Sequence, residues 1–256
     1  MQITKLLSIL IISSLILIGC SNDDEDTPIA SGLSANTQPL GSSANDLLSD
    51  ATYKGLTIEM VSVEGFEPTA TAVNEFKSFL EERIFKPDGI TINQRSVASS
   101  GMAPFTTQEI NEIESDLRTT FNEGDEIVIY IYFADGGNEE DTDTKITLGT
   151  AYLNTSLVIY EDTLRKLSMN TNAPLLSTIE TATLNHEFAH LLGLVNIGTS
   201  LQSEHEDSEA KGHCNVTSCL MAAAIEFRSG MMNMLGNGVP QLDDQCIADL
   251  QANGGR

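Results

Sequence analysis

The chain has 256 residues and carries 37 acidic side chains against 13 basic ones, which gives a formal net charge of −24. A surface this acidic repels polyanions, so the composition argues against nucleic acid and anionic membrane surfaces as partners. Strong acidity suits a soluble protein outside the cytoplasm, and the length allows one domain with a sizeable core.

The N-terminus predicts export. Residues 6–18 form an apolar run after Lys5, and this run is too short to span a bilayer, which needs about 20 apolar residues. The end of the run, Leu17-Ile18-Gly19-Cys20, resembles a bacterial lipobox. The resemblance implies that residues 1–19 are a lipoprotein signal peptide and that Cys20 is acylated, so the only membrane contact is the lipid anchor.

An acidic cluster, SNDDED, follows Cys20 and is similar to the surface-export signal of Bacteroidetes-type lipoproteins. We therefore expect an outer-membrane lipoprotein of a bacterial cell envelope, exposed at the surface. Residues 20–50 are rich in Ser, Asp, Asn and Thr, which indicates an acidic tether or a short pro-segment. Residues 51–256 are expected to form one domain.

Hydrophobic periodicity predicts alternating strands and helices in the first part of this domain. Strands are predicted at 56–63, 90–97 and 126–133, and amphipathic helices at 71–85 and 106–121. The strand at 126–133 is apolar almost throughout, as expected when both faces are buried. Two more strand-like runs, 148–152 and 157–160, follow an acidic loop. This order indicates an α/β fold.

Two further helices are predicted towards the C-terminus. Ser177 and Glu180 match a capping box, an apolar stripe follows, and Gly193 is placed to end that helix. The last helix is predicted at 240–253, its start favoured by Asp243.

The first of these helices carries the pattern H-E-x-x-H. Residues four apart lie on one helix face, so His186 and His190 can bind one Zn²⁺ from the same side. Glu187 cannot share that contact but can reach the metal-bound water and accept its proton. Because zinc lowers the pKa of that water towards about 7, the arrangement predicts peptide hydrolysis.

All four histidines of the chain lie between His186 and His213, which favours a metal site over scattered solvated or core histidines. The residues alone leave the third ligand open. The candidates are His205, His213 and, in a gluzincin-like site, a carboxylate such as Glu206 or Glu209.

The stretch from His186 to Gly193, followed by HCNVTSCLM from His213 to Met221, resembles the metzincin metalloproteases, especially matrixins and archaemetzincins. The same strings are similar to those of M10-type lipoprotein peptidases of Bacteroides-like bacteria. The resemblance implies a zincin domain with a twisted, mixed five-stranded sheet and an edge strand over the cleft. It also implies two long helices, one of them the H-E-x-x-H helix, and a C-terminal helix after a Met-turn.

On this resemblance the third ligand is His213, and Met221 forms the Met-turn that packs beneath the imidazoles. Asn196 stands where a compact metzincin site has its third histidine. The resemblance therefore implies an insertion from Asn196 to Gly212 that displaces the ligand, and a longer surface loop adds little closure cost.

Gly149, Thr150 and Ala151 resemble the metzincin edge strand that binds an extended peptide by strand addition. The small side chains of Gly149 and Ala151 would let a substrate backbone approach closely. The pocket for the residue after the scissile bond is expected between Asn185, or its helix neighbours, and the segment that follows Met221.

Two further interpretations concern metals and disulfides. The acidic loop from Asp135 to Asp143 offers carboxylates for a structural Ca²⁺ and reads equally well as a solvated loop. Beyond Cys20 the cysteines are Cys214, Cys219 and Cys246, so one disulfide and one thiol are expected in an exported protein. We favour the pair Cys214–Cys219 because the two are close in sequence. The later C-x-x-C that binds a second structural zinc in archaemetzincins is absent.

The sequence thus predicts a zinc metalloendopeptidase that acts on extracytoplasmic proteins or peptides as a monomer. The alternative is a non-catalytic surface lipoprotein that uses the same scaffold to bind a ligand.

Overall fold

A computed structural model describes residues 32–143, 145–226 and 238–256. The predicted signal peptide at 1–19 and the predicted lipidation site Cys20 lie outside the described residues. Within the described ranges, no helix combines the length and apolar character needed to cross a membrane.

One five-stranded sheet forms the frame of the domain. Its strands are β1 (Gly55–Val63), β2 (Gly89–Val97), β3 (Glu126–Phe133), β4 (Gly149–Leu153) and β5 (Ser156–Ile159). Their order across the sheet is β2-β1-β3-β5-β4, and β4 alone runs antiparallel to its neighbour. The predicted α/β fold with a mixed five-stranded sheet is confirmed, and β4 is an edge strand.

Eight helices are assigned within the described ranges. They are α1 (Gly32–Asn36), α2 (Ala44–Leu48), α3 (Ala70–Arg83), α4 (Thr107–Leu117), α5 (Glu161–Ser168), α6 (Leu176–Leu191), α7 (Ala223–Glu226) and α8 (Asp244–Ala252). The two longest, α3 and α6, pack against each other, with Phe76 and Phe188 edge to face at a centroid distance of 5.4 Å.

Strand β3 is buried on both faces, as its apolar sequence predicted. Ile129 and Ile131 belong to the core cluster that contains α3 and α6, whereas Tyr130 and Tyr132 belong to the cluster against α4. Alternate side chains therefore fill two cores from one strand. This layering places α6, with its H-E-x-x-H motif, beneath the sheet and next to the edge strand.

Two local predictions about helices need correction. The helix predicted at 106–121 ends at Leu117, because Arg118 takes an extended conformation and pairs with buried Glu114 at 2.7 Å. The capping box predicted at Ser177 is wrong, since α6 begins at Leu176 and no side chain caps it. Glu180 instead accepts hydrogen bonds from the backbone N–H and the hydroxyl of Thr69.

The described part of the predicted tether packs onto the domain. Leu47 and Leu48 are fully buried in the main core. The Lys86 ammonium donates hydrogen bonds to the carbonyl oxygens of Asp46 and Tyr53, each at 2.6 Å, and also to that of Ser49. Residues 46–53 are therefore fixed to the domain, while the function of residues 20–50 as a tether or pro-segment stays a prediction.

Candidate metal centre

Helix α6 carries two of the three predicted ligands. Every residue from Ile179 to Leu191 is buried, so the helix lies in the core rather than on the surface. His186 and His190 are one turn apart, and their Nε2 atoms are 3.2 Å apart. Two nitrogens at tetrahedral zinc, with bonds of about 2.0–2.1 Å, lie about 3.3–3.4 Å apart. The observed separation therefore suits two ligands of one ion.

The end of α6 turns the chain as predicted. Gly193 has φ of +71° and donates its N–H to the carbonyl oxygen of His190 at 3.0 Å. A Cβ at this position would lie 2.7 Å from the backbone nitrogen of Thr199, so only glycine fits. Asn196 also has a positive φ, of 68°, and its side chain is exposed. The insertion therefore begins at the surface, and residues further along it, such as His205, return to the interior.

His213, rather than His205 or Asn196, joins the two helical histidines. The ligand nitrogens of His186, His190 and His213 all lie within 4.8 Å of one another, and the three residues are buried. The rings of His213 and His186 stack at a centroid distance of 5.4 Å, and those of His213 and His190 meet edge on at 5.2 Å. His213 reaches the two helical histidines, although it is distant in sequence, because the inserted loop folds back towards α6.

Backbone carbonyls orient two of the imidazoles. Nδ1–H of His186 donates to the carbonyl oxygen of Leu220 at 2.8 Å, and Nδ1–H of His213 donates to that of Lys211 at 3.2 Å. This leaves Nε2 of each ring as the lone-pair donor, which is the usual outer-shell arrangement around zinc. The local geometry therefore fixes the tautomers that a metal needs.

Burial favours the neutral form of the His190 imidazole. It lowers the pKa of His190 well below its usual value, and the neighbouring His186 and His213 lower it further. Three imidazoles with converging nitrogens fit a zinc ion, because zinc binds the unprotonated nitrogen of a neutral imidazole.

Glu187 lies between the metal group and the edge strand β4. Its Oε2 accepts the N–H of Ala151 at 3.0 Å, and its side chain is almost completely buried. A Cβ at Gly149 would lie 2.6 Å from Cγ of Glu187. The structure therefore shows that the missing side chain of Gly149 makes room for Glu187. The expected close approach of a substrate at Gly149, Thr150 and Ala151 stays a prediction.

Met221 follows a tight turn in which the N–H of Cys219 donates to the carbonyl oxygen of Val216 at 2.9 Å, and its role as a Met-turn beneath the imidazoles stays a prediction. It is fully buried, and its carbonyl oxygen accepts the N–H of Cys214 at 2.7 Å. The preceding residue, Leu220, supplies the carbonyl that orients His186. The turn thus ties the segment after His213 to the ring of His186.

A cavity of about 360 Å³ lies beside α6 and contains Asn185, one wall of the expected substrate pocket. The other expected wall, the segment that follows Met221, lies largely outside the described residues, so this pocket stays a prediction. Asn185, Thr181 and the α3 residues Glu75 and Glu82 line the cavity, together with the segment near Gln241. The Oδ1 atom of Asn185 is buried, and no described residue donates a hydrogen bond to it. The cavity therefore presents mainly hydrogen-bond acceptors and negative charge.

Comparison with solved structures identifies the architecture. The chain is similar to archaemetzincin from Methanopyrus kandleri, with a TM-score of 0.52 and 16% sequence identity over 78% of this chain and 96% of that one. The chain has a metzincin-like zincin fold. It also matches metalloproteinase-II from Bacteroides fragilis with a TM-score of 0.42 and 16% identity, over 79% of this chain and 54% of that longer one. No protein-family model matches the sequence, and no curated protein does.

The predicted disulfide Cys214–Cys219 is wrong, because all three cysteines in the described ranges are free thiols. The sulfur of Cys219 faces Cys246 of α8 at 3.6 Å. Together with Asp243, the three cysteines form a second group whose ligand atoms lie within 4.8 Å of one another. Sequence proximity misled the pairing, since α8 brings a distant thiol into the same cluster.

His205 lies apart from the histidine group. It is fully buried, with Nε2 3.4 Å from Oδ2 of Asp249 and 3.7 Å from the sulfur of Cys246. The two carboxylates considered as alternative third ligands also lie outside the histidine group. Glu206 accepts the N–H of Gly212 at 3.1 Å, and Glu209 is exposed. The loop from Asp135 to Asp143 contributes to neither metal group that the described residues form, so calcium binding there stays a prediction.

Proposed function

We propose that the chain is a zinc-dependent endopeptidase that hydrolyses peptide bonds of extracytoplasmic proteins. The observation that carries this proposal is the convergence of three imidazoles from His186, His190 and His213 next to the carboxylate of Glu187. Three histidines and an open fourth position are a donor set of catalytic zinc sites. The metzincin-like fold supports the same reading.

Each part of the group has a separate role in this proposal. The three imidazoles hold the zinc, which when bound supplies a Lewis acid that polarises the scissile carbonyl and activates water. Glu187 is the general base that accepts the proton of the attacking water and delivers it to the leaving nitrogen. Burial of Glu187 beside the imidazoles keeps its carboxylate at a fixed position.

The edge strand supplies the substrate platform. Strand β4 is paired with β5 on one side, and no strand of the described ranges pairs with its other side, where an extended peptide can add. The N–H of Ala151 in this strand donates to Glu187. A peptide that adds to β4 therefore meets the base directly, which aligns its carbonyl with the metal group.

A pair of matched variants tests the mechanism. We expect Glu187→Gln to retain stoichiometric zinc and to lose about 10²- to 10⁴-fold in cleavage of an unfolded protein, the typical contribution of general acid–base catalysis. Glu209→Gln changes an exposed carboxylate of the inserted loop and is expected to change neither zinc content nor cleavage. Unchanged cleavage by Glu187→Gln refutes the mechanism, and zinc loss in Glu209→Gln supports a gluzincin-like site instead.

A binding function is the alternative outcome of the same assay. Broad peptide-library cleavage, measured with and without a chelator, separates the two. Chelator-sensitive cleavage supports the peptidase, whereas absence of cleavage by the zinc-loaded protein favours a non-catalytic lipoprotein that uses the scaffold to bind a ligand.

We also propose that the protein is an envelope lipoprotein anchored through Cys20 and acting as a monomer. The support is the lipobox-like sequence before Cys20 and the acidic cluster after it. Metabolic labelling with a palmitate analogue should mark the wild type and not Cys20→Ser, and equal labelling of both refutes the anchor.

A further inference from the structure

The cluster of Cys214, Cys219, Cys246 and Asp243 has the dimensions of a metal site. The sulfurs of Cys219 and Cys246 are 3.6 Å apart, and the sulfur of Cys214 is 3.5 Å from Oδ2 of Asp243. With zinc bonds of about 2.3 Å to sulfur and about 2.0 Å to oxygen, tetrahedral geometry puts two sulfurs about 3.8 Å apart and a sulfur and an oxygen about 3.5 Å apart. Both of these pairs are already near those separations, and all four ligand atoms lie within 4.8 Å of one another.

The surroundings of the sulfurs suit metal-bound thiolates. All three cysteines are buried. Backbone N–H groups point at two of them: that of Val216 at Cys214, and those of Met221 and Asp243 at Cys219, each with a nitrogen–sulfur distance of 3.4 Å. Hydrogen bonds to sulfur stabilise the charged form of a ligand. The three cysteines and Asp243 can be anionic together only beside a cation, because uncompensated charge is costly to bury.

Asp243 can serve the helix and the metal at once. Its Oδ1 caps α8 by accepting the N–H of Cys246 at 2.9 Å. Its other oxygen, Oδ2, points towards Cys214. We propose that Asp243 is the fourth ligand of a metal site with three thiolates and one carboxylate. Its carboxylate completes a cluster in which the described residues place only three cysteines.

His205 of the inserted loop acts on this site as a positioning residue. Its Nδ1–H donates to the carbonyl oxygen of Ser203 at 3.0 Å, and its Nε2 faces both Cys246 and Asp249. Asp249 is fixed in turn by the N–H of Gln202 at 2.6 Å. His205 lies outside the group of four mutually close ligand atoms, so it orients Cys246 and anchors the loop rather than binding the ion.

The second ion is connected to the histidine centre by two short links. Cys214 directly follows His213, and Cys219 directly precedes Leu220, whose carbonyl oxygen orients His186. An ion that clamps these cysteines to α8 therefore fixes the position of one catalytic ligand and the orientation of another. This part of the inference rests on the proposed function, whereas the metal site itself does not.

Metal counting on the purified full chain tests the site. We expect two zinc ions per chain in the wild type and one each in Cys246→Ser and His190→Ala. Cobalt replacement should give intense thiolate-to-cobalt charge-transfer absorption in the wild type and His190→Ala, and none in Cys246→Ser. One zinc per chain without a charge-transfer band overturns the proposal, as does a Cys219–Cys246 disulfide in protein purified under metal-replete conditions.

Two gentler variants keep the test valid if cysteine variants do not fold. Asp243→Asn retains a good helix cap and removes the anionic ligand, so it should lose the second ion while α8 persists by circular dichroism. His205→Ala should weaken the second site on the order of 10- to 100-fold, as loss of an outer-shell partner does, and His205→Gln should recover part of that affinity. Unchanged metal affinity in Asp243→Asn refutes its ligand role, and equal affinity in His205→Ala refutes positioning.

These results separate the inference from the proposed function. Two bound ions without cleavage leave the second site standing and reject the peptidase. Cleavage by a protein that holds zinc at the histidines alone supports the peptidase and rejects the second site. Weaker zinc retention at His186, His190 and His213 in Asp243→Asn supports the link between the centres, and unchanged retention there refutes it.

Discussion

A buried carboxylate pair beside the H-E-x-x-H helix α6 should make stability depend on pH. Glu161 at the start of α5 is fully buried and lies against Glu180 of α6. Burial raises the pKa of Glu161 from 4.5 to about 8; the hydrogen bond from Arg165 opposes this rise, and the nearby Glu180 adds to it. The folded protein therefore binds a proton at Glu161 more tightly than the unfolded chain does.

The size and sign of the effect follow from this difference. A shift from 4.5 to about 8 corresponds to about 5 kcal/mol, at about 1.36 kcal/mol for each pKa unit. Because the folded pKa is the higher one, this stability is fully present below pH about 4.5 and is lost as the pH rises through about 8. The free energy of unfolding should fall by about 1.4 kcal/mol per pH unit in that window.

Glu161→Gln is the perturbation that isolates the pair. The variant keeps the shape of the side chain and an acceptor for Arg165, but it cannot ionise. We expect urea unfolding midpoints of the wild type to decline from pH 5 to pH 8 relative to those of Glu161→Gln, at constant m-value. Glu204→Gln, which changes an exposed carboxyl, should follow the wild type. Parallel curves for wild type and Glu161→Gln refute the reasoning.

Further predictions concern the histidine centre and its surroundings. His213→Ala should release zinc in an equimolar zinc assay, and stoichiometric retention contradicts its ligand role. Gly149→Ala should lower cleavage more than zinc content, because the added Cβ meets Glu187 at 2.6 Å; unaltered cleavage argues against that contact. Met221→Leu should cost less than about 1.5 kcal/mol of stability by thermal unfolding and leave catalysis nearly unchanged. Combined Glu75→Gln and Glu82→Gln should reduce any preference for lysine or arginine after the scissile bond in a peptide library, and an unchanged preference removes the cavity from the specificity site.

Most of the fold could be predicted from local sequence patterns, because each strand and each long helix shows its own hydrophobic period. The strand at 126–133 and the helix from 71 were placed to within a few residues, since burial of their apolar faces decides their structure. The capping box at Ser177 failed because Glu180 bonds with Thr69, a residue far away in sequence, and a tertiary contact overrode a local one.

The same limit applies to the metal groups. His186, Glu187 and His190 lie on one helix, so their spacing alone predicts a shared site. The third histidine could be placed only by the resemblance around Met221, because the path of an inserted loop is not encoded in local periodicity. The cysteine cluster escaped prediction for the same reason, since Cys246 reaches it through the docking of α8.

The inserted loop from Asn196 to Gly212 has a practical consequence for engineering. Two backbone hydrogen bonds fix its return path. The N–H of Asp207 donates to the carbonyl oxygen of His213 at 2.7 Å, and the N–H of Asn215 donates to the carbonyl oxygen of His205 at 2.8 Å. Its tip at Ser208 and Glu209 is exposed. Since both anchors lie outside the tip, a short epitope or fluorophore-accepting peptide inserted there should label the protein without moving the histidines.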